Sequence, residues 1–224
     1  MSAADLKAAA ERAVALALES GATASEAFCQ DQREVEVRVF DRAVESLTEA
    51  SAKGVGIRAI ASEGRSGYAY GTTFDDAGLA EIAARAVEIA QASDPDEYAG
   101  LPRKCDSAAT GALVSAQFDE WDTARKVALA IAVDDAARTT DERVSQVEQT
   151  IYSDVRGRVA IANSEGFSDG YESSGAYAYS SAFAGEGDDL MTGLGLGIGR
   201  GPEELDAFAI GTEAAARAAA LVGA

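Results

Sequence analysis

The chain has 224 residues, enough for one large domain or two smaller ones to enclose a core without disulfides or metals. Asp and Glu outnumber Lys and Arg by 38 to 19; the resulting charge of −19 argues against direct contact with nucleic acid or acidic membrane surfaces, which call for clustered cations. No apolar run approaches the roughly 18 residues of a membrane span, charged residues such as Asp5, Lys7 and Glu11 interrupt the Ala-rich start as they would not a secretory signal, and Cys29 and Cys105 are too few and too distant for a disulfide framework, so a cytoplasmic protein is expected.

Ser2 is placed to cap a helix over 3–20, with Leu6, Ala10, Ala13, Val14, Ala17 and Leu18 on its apolar face and Gly21 as its stop. Separate strands are expected over 26–30 and 34–40, the second with Val35, Val37 and Val39 on a buried face, and a weaker one over 44–51. In 51–90 the pattern is continuous. Val55, Ile57 and Ala59 alternate with Gly56, Arg58 and Ile60, Glu63-Gly64 turns the chain, and 65–72 returns antiparallel. A helix then starts at Thr73, whose hydroxyl stands three residues before Asp76, and carries the stripe Leu79, Ile82, Ala83, Ala86, Val87 and Ala90.

Pro and Gly break every short apolar run over 93–116, which reads as a linker or long surface crossover. A helix over 119–139 follows, with Trp121, Ala124, Val127, Ala128 and Ile131 on one face. Strands are expected over 144–153, 158–163, 167–171, 175–184 and 190–199, with turns at 164–166 and 185–188. In the last strand Leu194, Leu196 and Ile198 alternate with glycine, leaving room for a neighbouring helix, a strand or a peptide close to the backbone. Pro202 opens a final helical region with Ala215, Ala218, Leu221 and Val222 on its apolar side.

The expected fold is α+β, a mostly antiparallel sheet or sheets flanked by helices. Two loosely repeated helix-strands-helix halves, 1–95 and 117–224, would be joined by the linker near 93–116, and RAIASEGRSGYAY corresponds loosely to VAIANSEGFSDGY. Duplication and ordinary patterning both explain that echo.

The sequence contains little catalytic chemistry. It has no histidine, which removes the HExxH helix, Ser-His-Asp and Cys-His arrangements and any His-bearing zinc site. GLGLGIGRG at 193–201 fails the GxGxxG spacing at every start, and GRSGY at 64–68 lacks the second glycine of a nucleophile elbow. The acidic doublets lack a calcium-loop spacing, and the tyrosines of the strand segments suit cross-strand pairing or, more sharply, a peptide-binding face.

SAKGVGIRAIASEGRSGYAYGTT with its following Ala-rich helix, SDPDEYAGLP, ANSEGFSDGY at 162–171 and the closing GTEAAARAAALVGA together resemble the TldD/PmbA family, the modulators of DNA gyrase. The last three look more like the PmbA (TldE) branch. The resemblance covers the whole chain. It implies the N-terminal domain of a subunit of a cytoplasmic zinc metalloprotease that acts on unfolded peptides, usually assembled from two related subunits. In that family the zinc-binding HExxxH helix lies in TldD, and a separate C-terminal domain follows the region matched. No position of this chain can take a zinc ligand or the catalytic glutamate, so it is expected to hold no cofactor, to be inactive alone, and to serve a TldD-like partner or a homo-oligomer by completing the assembly and guiding peptide. It is then either a fragment of a longer protein or a free-standing half. A stand-alone peptide- or protein-binding module is the alternative. Candidate contacts for a peptide or interface are Gly54, Gly56, Arg58, Asn163, Ser164 and Gly166.

Overall fold

The computed structural model describes residues 2–103 and 111–224; Cys105 and part of the expected linker lie outside them. The elements run α1 (Ala3–Glu19), β1 (Ala24–Phe40), β2 (Ala43–Ile60), β3 (Ser66–Gly71), α2 (Asp76–Ala92), α3 (Thr123–Thr139), β4 (Val144–Asn163), β5 (Ser168–Ala184), β6 (Met191–Gly199) and α4 (Ala207–Leu221). The fold is α+β, and helix, three strands, helix occurs twice. The six strands form one sheet in the order β3-β2-β1-β4-β5-β6, with β2–β3 and β5–β6 antiparallel.

The chain forms two compact units, each drawn from three stretches: 1–32, 51–111 and 157–172 in the first, and 33–50, 112–156 and 173–224 in the second. Strands β1, β2, β4 and β5 therefore each supply residues to both units. This explains why the segments expected as separate strands are continuous. Around 31–34 of β1 and 155–159 of β4 neither face is fully buried, so the apolar alternation lapses there. The backbone ladder needs no apolar side chain and carries the strand through.

In the first unit α1 and α2 cover the sheet. The capping box predicted at Ser2 is present, with the Ser2 hydroxyl accepting from the Asp5 amide at 3.1 Å and the Asp5 carboxylate accepting from the Ser2 amide at 2.9 Å. Leu6, Ala10, Ala13 and Ala17 are fully buried against Val55, Ile57, Ala59 and the α2 stripe. Leu18, expected on that face, is exposed, and Leu16 is buried instead. At the β2–β3 turn Glu63 and Gly64 both adopt left-handed φ, of 61° and 71°. The cap of α2 is Asp75 rather than Thr73: its carboxylate accepts from the Gly78 amide at 2.9 Å, and the helix begins at Asp76. A carboxylate also suits the positive end of the helix dipole. Asp75→Ala is accordingly expected to lower unfolding stability by about 1 kcal/mol, measured by urea titration. Thr73→Ala should cost less than half as much; equal losses would reassign the cap.

Cys29 is fully buried in this core, and burial pushes its thiol up to about 11. A raised acid stabilises the fold while it stays neutral. The contribution of Cys29 is therefore complete below about pH 9 and is lost as pH rises through about 11. Cys29 should resist alkylation in the native protein at pH 8 and react on unfolding, as mapped by mass spectrometry; native labelling at the unfolded rate would refute its burial.

The second unit is built on Val35, Val37 and Val39 of β1, Ala130 and Val133 of α3, Tyr152, Ala176, Ala178, Leu205 and Ile210. The inward face of α3 is only partly the predicted one: Val127 and Ile131 pack against this core, half-buried, but they flank its centre. The buried face carries Lys126, Ala130, Val133, Asp134, Ala136 and Ala137, whereas Ala124 and Ala128 point outward. The sequence pattern misled because two buried positions are charged and each needs a partner. Lys126 has Asp154, and Asp134 accepts from Arg138 one turn on at 2.7 Å. Leu221 of α4, also expected inward, is half exposed.

The two halves repeat most clearly where a strand meets its helix. A Cβ on Gly67 of β3 would run into the Ala86 carbonyl and the Ala90 backbone of α2, and one on Gly71 into Ile82. On β6, a Cβ on Gly193 would meet the Ala214 carbonyl and the Ala218 backbone of α4, and one on Gly197 would meet Ile210. Gly67 and Gly71 with Ile82, Ala86 and Ala90 thus correspond to Gly193 and Gly197 with Ile210, Ala214 and Ala218. The sequence echo joined other hairpins, RAIASEGRSGYAY spanning β2–β3 and VAIANSEGFSDGY spanning β4–β5. Those occupy different places in the repeated order.

Candidate functional site

On the face of the first unit opposite its helices, even-numbered residues of β1, β2 and β3 point outward. Phe28, Tyr68 and Tyr70 are exposed there by 39%, 57% and 79%. With Gln30, Gly54, Gly56 and Thr72 they line an open groove of about 320 Å³. Register places Gly56 beside Tyr70 and Arg58 beside Tyr68. The two tyrosine rings follow one another along β3 with centroids 6.3 Å apart, neighbours on one strand rather than a cross-strand pair. A Cβ on Gly56 would collide with the Tyr68 phenol, so that glycine makes room for an aromatic ring of the chain itself. Gly54 is different: its nearest neighbour would be the Gly71 carbonyl at 3.4 Å, so the groove floor is open there.

The predicted contact residues fall into two places within this unit. Gly54 and Gly56 line the aromatic groove, and Arg58 continues the same strand face. Asn163 and Gly166 line a separate hollow of about 280 Å³ with Glu11, Val14, Phe167 and Ser168. Asn163 is committed to its turn: its carbonyl oxygen accepts from the Glu165 and Phe167 amides, both at 3.0 Å, and its amide nitrogen donates to the Pro102 carbonyl at 2.8 Å. Ser164 pairs with Ser25, giving its amide to the Ser25 carbonyl at 2.9 Å and accepting from the Ser25 amide at 3.1 Å. Sequence reasoning missed Phe28 and Gln30. Their alternation with buried Ala27 and Cys29 was the available signal.

The second unit contains a buried polar cluster that the sequence did not announce. Lys126 Nζ lies 2.7 Å from Asp154 Oδ2 with both side chains at least nine-tenths buried, and the Tyr152 hydroxyl donates to the same oxygen. Burial first, and the Asp154 hydrogen bond second, hold the Tyr152 phenol well above its ordinary range. Lys126 also sits 5.5 Å from the Phe118 ring centroid, and Arg125 stacks 4.3 Å over Trp121. Lys126 and Asp154 answer each other's charge, and this pair ties α3 to β4.

The zinc ion that the family resemblance implies for a TldD-like partner does not fit this chain's own residues. The sequence has no histidine, and the described residues contain no group of three or more Cys, Asp or Glu close enough to hold a metal. No helix among the described residues is long and apolar enough to cross a membrane.

Two family models match the chain. PmbA/TldA metallopeptidase domain 1 matches residues 25–90, and the PmbA/TldA metallopeptidase central domain matches 116–222. No curated protein matches the chain. Among solved structures, a candidate modulator of a DNA gyrase from Thermotoga maritima superimposes with a TM-score of 0.82 at 21% identity, covering 96% of this chain and 48% of that one. Another from Bacteroides thetaiotaomicron gives 0.86 at 21%, covering 95% and 49%. TldE from Thermococcus kodakarensis gives 0.84 at 19%, covering 94% and 47%. These likenesses show the fold, and the chain spans about half the length of each of the three. From the two matched domains, the chain belongs to the TldD/PmbA family.

Proposed function

We propose that the chain is the non-catalytic N-terminal part of a PmbA (TldE)-like subunit of a cytoplasmic zinc metalloprotease, where it contributes to subunit assembly and guides unfolded peptide. The observation that carries this reading is the uncovered aromatic groove of the first unit, with Phe28, Tyr68 and Tyr70 around an open floor at Gly54. Aromatic walls bind side chains of many kinds, and an open strand backbone accepts an extended chain without demanding a sequence. In this reading the metal belongs to a TldD-like partner.

The test mixes this chain, or its full-length subunit, with a TldD-like subunit and follows cleavage of an unfolded peptide. The mixture should cleave faster than the partner alone, and Tyr70→Ala should slow it by about tenfold, the loss of one well-packed aromatic contact. Cleavage by this chain alone that a chelator leaves intact would overturn the assignment.

A further inference from the structure

Strand β2 has a long unpartnered edge. β3 pairs with it only from Val55 to Ile60, and the whole of Ala43–Ala50 is exposed. Among the described residues no strand lies along the outer side of Ala43–Ala50. Such edges are normally blunted by free charges or proline. This one has no proline, and its two charges are already engaged: Glu45 with Arg38 at 3.8 Å, and Glu49 with Arg33 at 3.0 Å and the Thr123 hydroxyl at 2.8 Å. Behind the edge, Thr48 and Ala50 border a hollow of about 140 Å³ whose other wall is Glu34 and Glu36 of β1. No cation pairs with either carboxylate among the described residues.

We infer that this edge of the second unit accepts an extended peptide carrying Lys or Arg at alternate positions, which adds as a strand along Ala43–Ala50. The inference rests on the peptide-handling reading above and specifies its substrate class. Strands lie about 4.8 Å apart, so Glu34 and Glu36 stand two strand spacings, about 10 Å, from an added chain. Lys and Arg have the stems to span that distance, and Thr48 and Ala50 are small enough for a stem to cross them. Glu34 and Glu36 share a face because strand side chains alternate, which matches cations two residues apart on the added strand. Glutamate side chains at those positions would meet the same two carboxylates and be repelled.

The test uses fluorescently labelled peptides of about ten residues, alternating Lys with Thr, and analogues with Gln or Glu in place of Lys, titrated by anisotropy against the 224-residue chain. The Lys peptide should bind about tenfold tighter than the Gln peptide and weaken as salt rises from roughly 0.05 to 0.5 M. Glu34→Gln with Glu36→Gln should remove that advantage. Thr48→Arg, which supplies the cation from within, should weaken the Lys peptide by about tenfold. Glu81→Gln with Glu88→Gln, the same charge change on exposed positions of α2, should have no effect. Equal binding of the Lys and Gln peptides, or equal losses in the two double variants, would overturn the edge and leave peptide handling standing. Failure of all three peptides to bind would remove both.

Discussion

Lys126→Met is expected to destabilise the second unit by about 3–5 kcal/mol, because it strands the Asp154 carboxylate in a site where that group is nearly fully buried. The Tyr152 hydrogen bond remains but cannot replace a counter-charge. Trp121, the chain's one tryptophan, lies close by on the approach to α3 and reports the transition by its fluorescence in urea. Converting the charged pair and the hydroxyl that bonds to it, Lys126→Met with Asp154→Leu and Tyr152→Phe, should recover most of the loss, since an apolar set of similar volume leaves neither an unpaired charge nor an orphaned buried hydroxyl. A single-variant loss below about 1 kcal/mol would show that water reaches the pair and screens it.

The second large effect concerns the repeated strand-helix contact. Gly67→Val and Gly193→Val each drive a branched side chain into helix backbone, the Ala86 carbonyl and Ala90 in one case and the Ala214 carbonyl and Ala218 in the other. Backbone cannot yield as a side-chain tip can, so each substitution should cost about 3 kcal/mol or more and displace β3 from α2 or β6 from α4. Gly54→Ala is the control, with only the Gly71 carbonyl nearby at 3.4 Å. Thermal unfolding of the three variants checks this. Tolerance at Gly67 combined with collapse at Gly193 would mean that the two contacts are not equivalent.

Much of this architecture can be read from local patterns. The α2 stripe from Leu79 to Ala90 is buried as its spacing demands, the Ser2 cap closes as a capping box, and Glu63-Gly64 turns where a hairpin needs left-handed residues. The glycine face of β6 packs on a helix, one of the uses its alternation allowed. These features depend on interactions within a few residues or on one periodic face.

The candidate site was less legible. Gly54, Gly56 and Arg58 could be placed on one strand face, but their meeting with Phe28, Tyr68 and Tyr70 depends on the register of three strands. Asn163 and Gly166 lie in another hollow because the β4–β5 turn is brought beside α1. Neither arrangement has a local signal.

The sequence alone determined the helical stripes, the tight turns, the net negative charge and the absence of histidine, since composition and short-range periodicity fix them. Tertiary structure decided three further things. It buried Lys126 and Asp134 on the inner face of α3, because partners from β4 and the next helical turn neutralise them. It passed single strands through both units, because a hydrogen-bonded ladder persists where the apolar pattern stops. And it left the outer side of Ala43–Ala50 without a strand among the described residues, because β3 is six residues long and ends where it meets Val55.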